Sequence, residues 1–508
     1  MKIHTFLLFI FILKCTCQEF DPPDNYLIDC GSTENTQVDN RLFLADNLNS
    51  SILSTPEIIF VNTSDSPPSI YNSSLYKTAR ILNGSSNYTF PMKKRDWHLI
   101  RLHFFSFVSE RDLSSAKFSV SAQKFTLLKN FQPPHGPVVK EYSVNVTTDN
   151  LVLTFTPSPG SFAFLNALEI VSLPGVVIPD HTPAVNSQQP SPSVQAQALE
   201  TVWRVNMGNE TVFPRNDKLS RYWQSDSEHL SNSNLVVFVS NVQAVNETSG
   251  YSELIAPRSV YGTATKLHSQ PDPDTIINMT WSFDVDPGFD YVVRFHFCDI
   301  AERSPGPLIF NVFLNSGVAV RDLDLSNKTS NVSGAPYYVD AITRINDIHN
   351  LSISIGPSYV KNAYPDGILN GVEIMKISNS KGSLDPADAE TQITKPASKT
   401  KVWLIVGLAI GSSLIFIVLA FLFVVMIRRR RRRRDNVVHS GEDHSIIMNQ
   451  ESFEDSKYPQ IGNHQRLKER SEVEQSVSIA QYSMGSLGDL ENVSMSKVFS
   501  EMVKAEIS

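Results

Sequence analysis

Arg101 and His103 stand two residues apart in Arg101-Leu-His-Phe-Phe, and Arg294 and His296 repeat the spacing in Arg294-Phe-His-Phe-Cys. On an extended chain, positions i and i+2 share a face, so each pair aims a fixed cation and a titratable imidazole the same way while their apolar neighbours face the other. Such a face either meets a polar ligand or is the hydrogen-bonded or solvated side of a sheet, and the second arrangement is the commoner. A second candidate surface is aromatic: Tyr71, Tyr76, Tyr88 and Trp97 fall within one stretch. Sugar recognition needs flat rings for apolar sugar faces and acids or amides for hydroxyls. These rings would meet the first need, although core packing is the commoner fate of such residues.

No arrangement for enzymic chemistry accompanies them. Neither Gly-x-Ser-x-Gly nor His-Glu-x-x-His occurs, and the four cysteines lack zinc-ligand spacing. No catalytic residue, metal or cofactor is expected. Cys30 and Cys298 are expected as two separate buried thiols.

The elements that must position these residues read as strands. Leu99–Phe107, Ala116–Leu128, Tyr142–Phe155, Tyr291–Cys298, Ile309–Leu314 and Leu351–Ile355 alternate apolar and polar residues or are β-branched and aromatic, and Pro, Gly and Asn break them. No apolar pattern of period 3.6 is sustained ahead of residue 402, so the fold class is all-β, built as antiparallel sandwiches. The pattern also repeats. The Arg-x-His-Phe strings lie 193 residues apart, and Asn166-Ala-Leu-Glu-Ile recurs as Asn370-Gly-Val-Glu-Ile 204 residues later, in the same order. Collinear repeats predict two tandem domains, 24–174 and 200–378, joined by a Pro/Ser/Gln-rich linker at 175–199 and followed by a polar stalk at 379–401.

Two apolar segments predict topology. Residues 1–17 carry Lys2, the apolar Phe6–Leu13 and small residues ahead of Gln18, the pattern of a signal peptide. Residues 402–427 carry no charge over 26 positions and run into seven arginines, Arg428–Arg434. At ~1.5 Å per residue that segment crosses a ~30 Å hydrocarbon core, and positive charge stays inside. The expectation is a single-pass type I protein of the plasma membrane with its ectodomain outside and a cytoplasmic tail at 428–508. Sequons agree: Asn49, Asn62, Asn72, Asn83, Asn87, Asn145, Asn209, Asn246, Asn278, Asn327, Asn331 and Asn350 precede the apolar segment, and Asn492 alone follows it. The net charge is −8 with the basic charge gathered in the arginine run, which disfavours a nucleic-acid binder. The run itself would attract anionic lipids.

Asn25-Tyr-Leu-Ile-Asp-Cys-Gly-Ser, Tyr76-Lys-Thr-Ala-Arg, the Arg-Leu-His-Phe strand and Asn166-Ala-Leu-Glu-Ile resemble the tandem malectin-like ectodomain of plant receptor-like kinases of the Feronia and Theseus group. Arg204-Val-Asn-Met-Gly, Arg221-Tyr-Trp, Ala256-Pro-Arg-Ser-Val-Tyr and Asp366-Gly-Ile-Leu-Asn-Gly-Val-Glu-Ile extend the resemblance across residues 24–430. It implies paired malectin-like β-sandwiches that perceive wall carbohydrate such as pectin fragments, or small secreted peptides, often with a lipid-anchored co-receptor. The tail departs from the family: Asp435–Ser508 contains no Gly-rich phosphate loop, His-Arg-Asp or Asp-Phe-Gly, and its polar composition predicts disorder. Val493-Ser-Met-Ser-Lys-Val-Phe-Ser resembles the segment that follows the kinase domain in this family. The expectation is a receptor-like protein without its own kinase, acting as co-receptor or decoy beside full-length receptor kinases. Its rivals are an incomplete version of a receptor Ser/Thr kinase and a non-signalling wall tether.

Overall fold

In the computed structural model the described residues are 20–48, 50–64, 73–179, 182–185, 193–246, 252–267, 278–301, 308–358, 360, 366–389 and 415–431. Residues up to 397 form one compact unit and those from 398 a second.

The first unit is almost wholly strands and short turns, organised around an eleven-stranded sheet. Eight of its strands matter here: β1 (Asn25–Asp29), β2 (Trp97–Phe104), β3 (Val138–Asn145), β4 (Ala167–Ser172), β5 (Leu199–Asn206), β6 (Phe289–Phe297), β7 (Tyr337–Ile345) and β8 (Gly371–Ile377). They lie in the order β1-β4-β2-β3-β5-β8-β6-β7. The first four and the last four therefore follow the same order, and an antiparallel pairing of β3 with β5, Glu141 opposite Thr201 and Ser143 opposite Leu199, joins the two sets into one sheet.

Alternation decides what each face carries. In β2, Ile100, Leu102 and Phe104 enter a core shared with Val120 and Phe155 of an opposing five-stranded sheet. In β6, Tyr291, Val293, Phe295 and Phe297 enter a second core with Trp281, Val312 and Ile353 of a four-stranded sheet. Each such side chain contributes about 1.5–3 kcal/mol by leaving water. On the opposite face Trp97, Leu99, Leu199, Val292, Ile342 and Met375 form a third cluster with Ile178 and Val194. There, Pro183 and Val185 bond the backbone of Ile342, so the described part of 175–199 packs against the sheet instead of spanning a gap.

The two halves also repeat their connections. Asn166 accepts from the Phe105 amide and donates to the Thr78 carbonyl; Asn370 accepts from the Cys298 amide and donates to the Thr263 and Tyr261 carbonyls. Gly31 (φ +81°) and Gly208 (φ +96°) occupy matching turns, where a Cβ would lie 2.5 Å from the Ala79 carbonyl and 2.9 Å from the Ala264 amide nitrogen respectively. Only glycine combines that φ with so close a backbone approach.

At one matched position the halves differ. Asp29, buried beneath Thr36 and Thr78, takes hydroxyl hydrogen bonds from both, whereas the second half places Asn206 against the hydroxyl of Thr263. Burial pushes the Asp29 carboxyl up to about 6, against the two hydroxyl bonds, with Asp46 adding repulsion. A raised carboxyl favours the fold while protonated, so its contribution is complete below pH 3.8 and is lost as pH rises through about 6. Asp29→Asn is therefore expected to stabilise the protein at pH 7 by up to about 3 kcal/mol and to flatten its stability between pH 4 and 7. Urea denaturation across that range checks this, and an Asp29→Asn variant less stable than the parent at pH 7 sinks it.

Residues 415–431 are helical, and no helix of the described residues is long and apolar enough to cross a membrane. The expected span begins at 402, and 402–414, like the signal peptide and the tail beyond 431, lies outside the described residues. The expected stalk is revised in its first part: residues 379–389 fold back, and Leu384 is fully buried in the first core.

Candidate functional site

Arg101 and His103, and their counterparts Arg294 and His296, are buried on their sheet face. Arg101 is 4% exposed, His103 1%, Arg294 1% and His296 0%. Each cation is satisfied across strands. Arg101 donates to Glu141 on β3 (2.7 Å) and Glu169 on β4 (3.1 Å), and its third nitrogen reaches the Leu219 carbonyl (3.0 Å). Arg294 grips Asp340 on β7 with two bonds (2.7 and 2.8 Å) and the Val177 carbonyl with a third (2.7 Å). His103 bonds Glu169 at 2.9 Å and faces the Tyr76 hydroxyl; His296 bonds Glu373 at 3.3 Å and faces the Tyr261 hydroxyl. Of the two readings of these residues, their placement is that of a hydrogen-bonded sheet face.

The join between halves extends this pattern. Arg204 on β5 donates to Glu141 at 2.6 Å and to Glu373 on β8 at 2.8 Å. Across β4, β2, β3, β5, β8, β6 and β7, the row is Glu169, Arg101, Glu141, Arg204, Glu373, Arg294 and Asp340, alternating in sign at every strand. Glu373 and Arg294 are direct cross-strand neighbours, and the other steps are ion pairs. A register shift between Thr201 and Trp203 makes the row possible. Strict alternation from Thr201, which bonds Glu141, would turn Arg204 to the other face; one extra residue returns it.

Electrostatics follow from this geometry. Burial alone would raise the Glu141 carboxyl, but Arg204 and Arg101 outweigh it and hold it at about 2. Glu169 and Glu373 are likewise held well below their usual range, against burial, by Arg41 with Arg101 and by Arg204 respectively. Burial pushes His296 below its ordinary value despite Glu373. The sign is the same for all four: the fold favours the deprotonated group, so stability is full above the unfolded value and is lost as pH falls through the folded one. In the Asp29→Asn variant, which removes the opposing titration of Asp29, acidification is thus expected to weaken the protein first as His296 titrates below 6.5, then more steeply between 4.5 and about 2. A stability profile of that variant flat from pH 7 to 3 refutes this.

Above the join lies a cavity of about 200 Å³. Arg101, Glu141 and Glu169 make its floor, and half-buried Trp203, Tyr222 and Gln224 stand at its rim. The Trp203 ring is fixed by its Nε1 donating to the Asp284 carbonyl (2.7 Å) and by His229 at 4.8 Å. At roughly 30 Å³ per water, the cavity has room for one ring-sized group or a side chain. Glu141, Trp203 and Tyr222 were not singled out from the sequence. The Arg204-Val-Asn-Met-Gly and Arg221-Tyr-Trp strings were their nearest signals.

The aromatic candidates take a different place. Tyr76 is 1% exposed, Tyr88 0% and Trp97 2%. The Tyr88 hydroxyl donates to Asp46 (2.9 Å) and Trp97 Nε1 to Gln195 (3.2 Å). Their ring faces lie against other side chains, so they form no open sugar platform: Tyr88 lies in the first core, Trp97 in the third cluster and Tyr76 beside Phe105. Tyr71 lies outside the described residues, as do Asn49 and Asn72. The ten other expected glycosylation asparagines, Asn62, Asn83, Asn87, Asn145, Asn209, Asn246, Asn278, Asn327, Asn331 and Asn350, are all half-buried or exposed. Cys30 and Cys298 are free and buried, as expected.

Comparison with known proteins gives a consistent answer. A malectin-like domain is matched over residues 28–377. Receptor-like protein kinase HERK 1 of Arabidopsis thaliana is 44% identical over 428 residues, 83% of this chain and 51% of its own length. Receptor-like protein kinase THESEUS 1 of the same plant is 36% identical over 75% of this chain and 45% of its own. The chain thus spans about half the length of the curated relatives it matches. Among solved structures, the ANXUR1 extracellular domain of Arabidopsis thaliana superposes with a TM-score of 0.65 at 26% identity, over 71% of this chain and 98% of that one. A chain from the solved complex of plant peptide RALF23 with FER and LLG2 superposes with a TM-score of 0.61 at 29% identity, over 72% of this chain and 98% of that one.

Proposed function

The chain belongs to the malectin-like family of plant receptor-like kinase ectodomains, and from that premise we propose that it is a plasma-membrane receptor-like protein whose ectodomain binds a small secreted peptide beside a co-receptor. The observation that carries this reading is the superposition of the ectodomain on a chain solved together with a peptide, RALF23, and a third protein, LLG2. The two halves act as tandem malectin-like domains, 24–174 and 200–378. The half-open cavity at their join offers the contact: Trp203 and Tyr222 supply aromatic faces for a peptide side chain, and the paired charges beneath hold the rim in place. Arg101, His103, Arg294 and His296 then serve the ligand by positioning the strands. A second reading, wall carbohydrate, is favoured by the same aromatic rings above a polar floor.

Residues 402–427 span the membrane once, the sequons outside carry glycans, and Arg428–Arg434 meets anionic lipid. The role we propose is that of a co-receptor or a decoy that lowers the free ligand available to full-length relatives; an incomplete version of a full receptor kinase is the competing reading. The test is binding of labelled RALF23 to cells displaying the full chain. Trp203→Ala with Tyr222→Ala is expected to weaken binding tenfold or more with surface display unchanged. Absence of saturable binding by peptide, with or without a co-receptor, removes the peptide reading. Extraction of the chain by alkaline carbonate removes the membrane reading separately.

A further inference from the structure

The second half ends with β8 beside β5, and nothing in the sheet obliges the chain to return to the first half. It does return. After Ser378 bonds Ala198, a turn built on Asn379 reverses the chain: the Asn379 side-chain oxygen accepts from the Lys381 and Ser383 amides, and Gly382 takes φ +73°. Residues 382–384 then lie along the edge strand Phe125–Phe131 of the first half, with Thr126 donating to the Gly382 carbonyl (3.0 Å) and accepting from the Leu384 amide (2.9 Å). Leu384 enters the core of the first half, Asp385 accepts from the Lys129 amide (2.7 Å), and Asp388 pairs with the Lys129 ammonium (2.5 Å).

We propose that residues 379–388 are a releasable clasp, which fastens the chain leaving the ectodomain to the first half and whose opening frees it. Three features make this attachment the weak one. It is made to the outermost strand of its sheet, the strand's own pairing with Phe118–Ala122 shifts register twice, and the closing ion pair is partly solvent-exposed. One buried leucine and a few edge hydrogen bonds open more readily than the shared sheet. Opening has two consequences. Ten residues of extended chain lengthen the tether by roughly 35 Å, and the Thr126 N–H and C=O are exposed on a bare strand edge that can accept another strand. A partner that displaces the clasp thereby changes how the ectodomain is held. The clasp is a property of the ectodomain alone, whereas its consequence for a receptor rests on the membrane reading above.

Hydrogen exchange by mass spectrometry on the full chain in detergent tests the clasp independently of that reading. Amides of 379–388 and 125–131 are expected to exchange together, protected relative to free chain but at least tenfold faster than those of β6. Leu384→Ala is expected to speed both segments tenfold or more while leaving β6 unchanged, and an oxidised Thr126→Cys/Ser383→Cys pair to slow them. Should Leu384→Ala fail to fold, Asp388→Asn, which weakens the Lys129 ion pair and the bond from the Ser383 hydroxyl, is expected to act in the same direction. Exchange of 379–388 at the free-chain rate, or only together with β6, or unchanged exchange in the variants, overturns the proposal.

Discussion

Glu141→Ala is expected to destabilise the ectodomain by about 3–5 kcal/mol, the usual cost of removing one partner from a buried ion pair. The loss exceeds one ordinary salt bridge because Glu141 is the single carboxylate between Arg101 and Arg204, and the two guanidinium groups, on side chains only 4% and 9% exposed, each lose one of their two carboxylates. Each half keeps its own core, so the effect is expected at the join first. The fluorescence of Trp203, which lines the same cavity as Glu141, is expected to change at lower urea than that of the first half's Trp97. A Glu141→Ala variant within about 1 kcal/mol of the parent would mean that water reaches and screens the row.

Gly31→Ala is the second large effect, and here the cause is steric. The backbone at Gly31 is left-handed, and a methyl there would sit 2.5 Å from both the carbon and the oxygen of the Ala79 carbonyl. A backbone group cannot swing aside as a side-chain tip can, so the strand Thr78–Leu82 must move, and it carries Arg80, whose guanidinium is locked to Asp46 by bonds of 2.9 and 2.6 Å. Strain of about 1–3 kcal/mol for the backbone conformation adds to the overpacking of the core behind it, about 1–3 kcal/mol more. The expected result is loss of secreted protein or a fall in stability of several kcal/mol. Gly208→Ala, where the approach to Ala264 is 2.9 and 3.1 Å, is expected to do the same to the second half, less severely. Full secretion of the Gly31→Ala variant at parental stability would falsify the close approach.

What is local and periodic was legible in the chain. Alternation in Leu99–Phe104 and Tyr291–Phe297 fixed which side chains face the core, because a strand turns each successive residue by half a revolution. The collinear Arg-x-His-Phe and Asn-x-x-Glu-Ile strings marked strands that the fold places side by side in both halves: Arg101 on β2 is opposite Glu169 on β4, as Arg294 on β6 is opposite Glu373 on β8. Small motifs of the resemblance are structural joints, the Gly31 and Gly208 turns among them.

The partners, by contrast, come from tertiary packing. The charge row follows the sheet order, in which neighbours in space lie up to 169 residues apart in the chain, and no spacing rule announces such pairs. One inserted residue near Trp203 set the face on which Arg204 lands, a single-residue effect invisible in composition. Burial of Tyr76, Tyr88 and Trp97 depended on what covers their strands, and the path of 379–388 depended on an edge left open about 256 residues earlier in the chain. Local pattern is written in each short segment; which segments meet is a property of the whole packed chain, since it is the sum of burial and pairing across both halves that selects the arrangement in which the charges of the buried row are partnered.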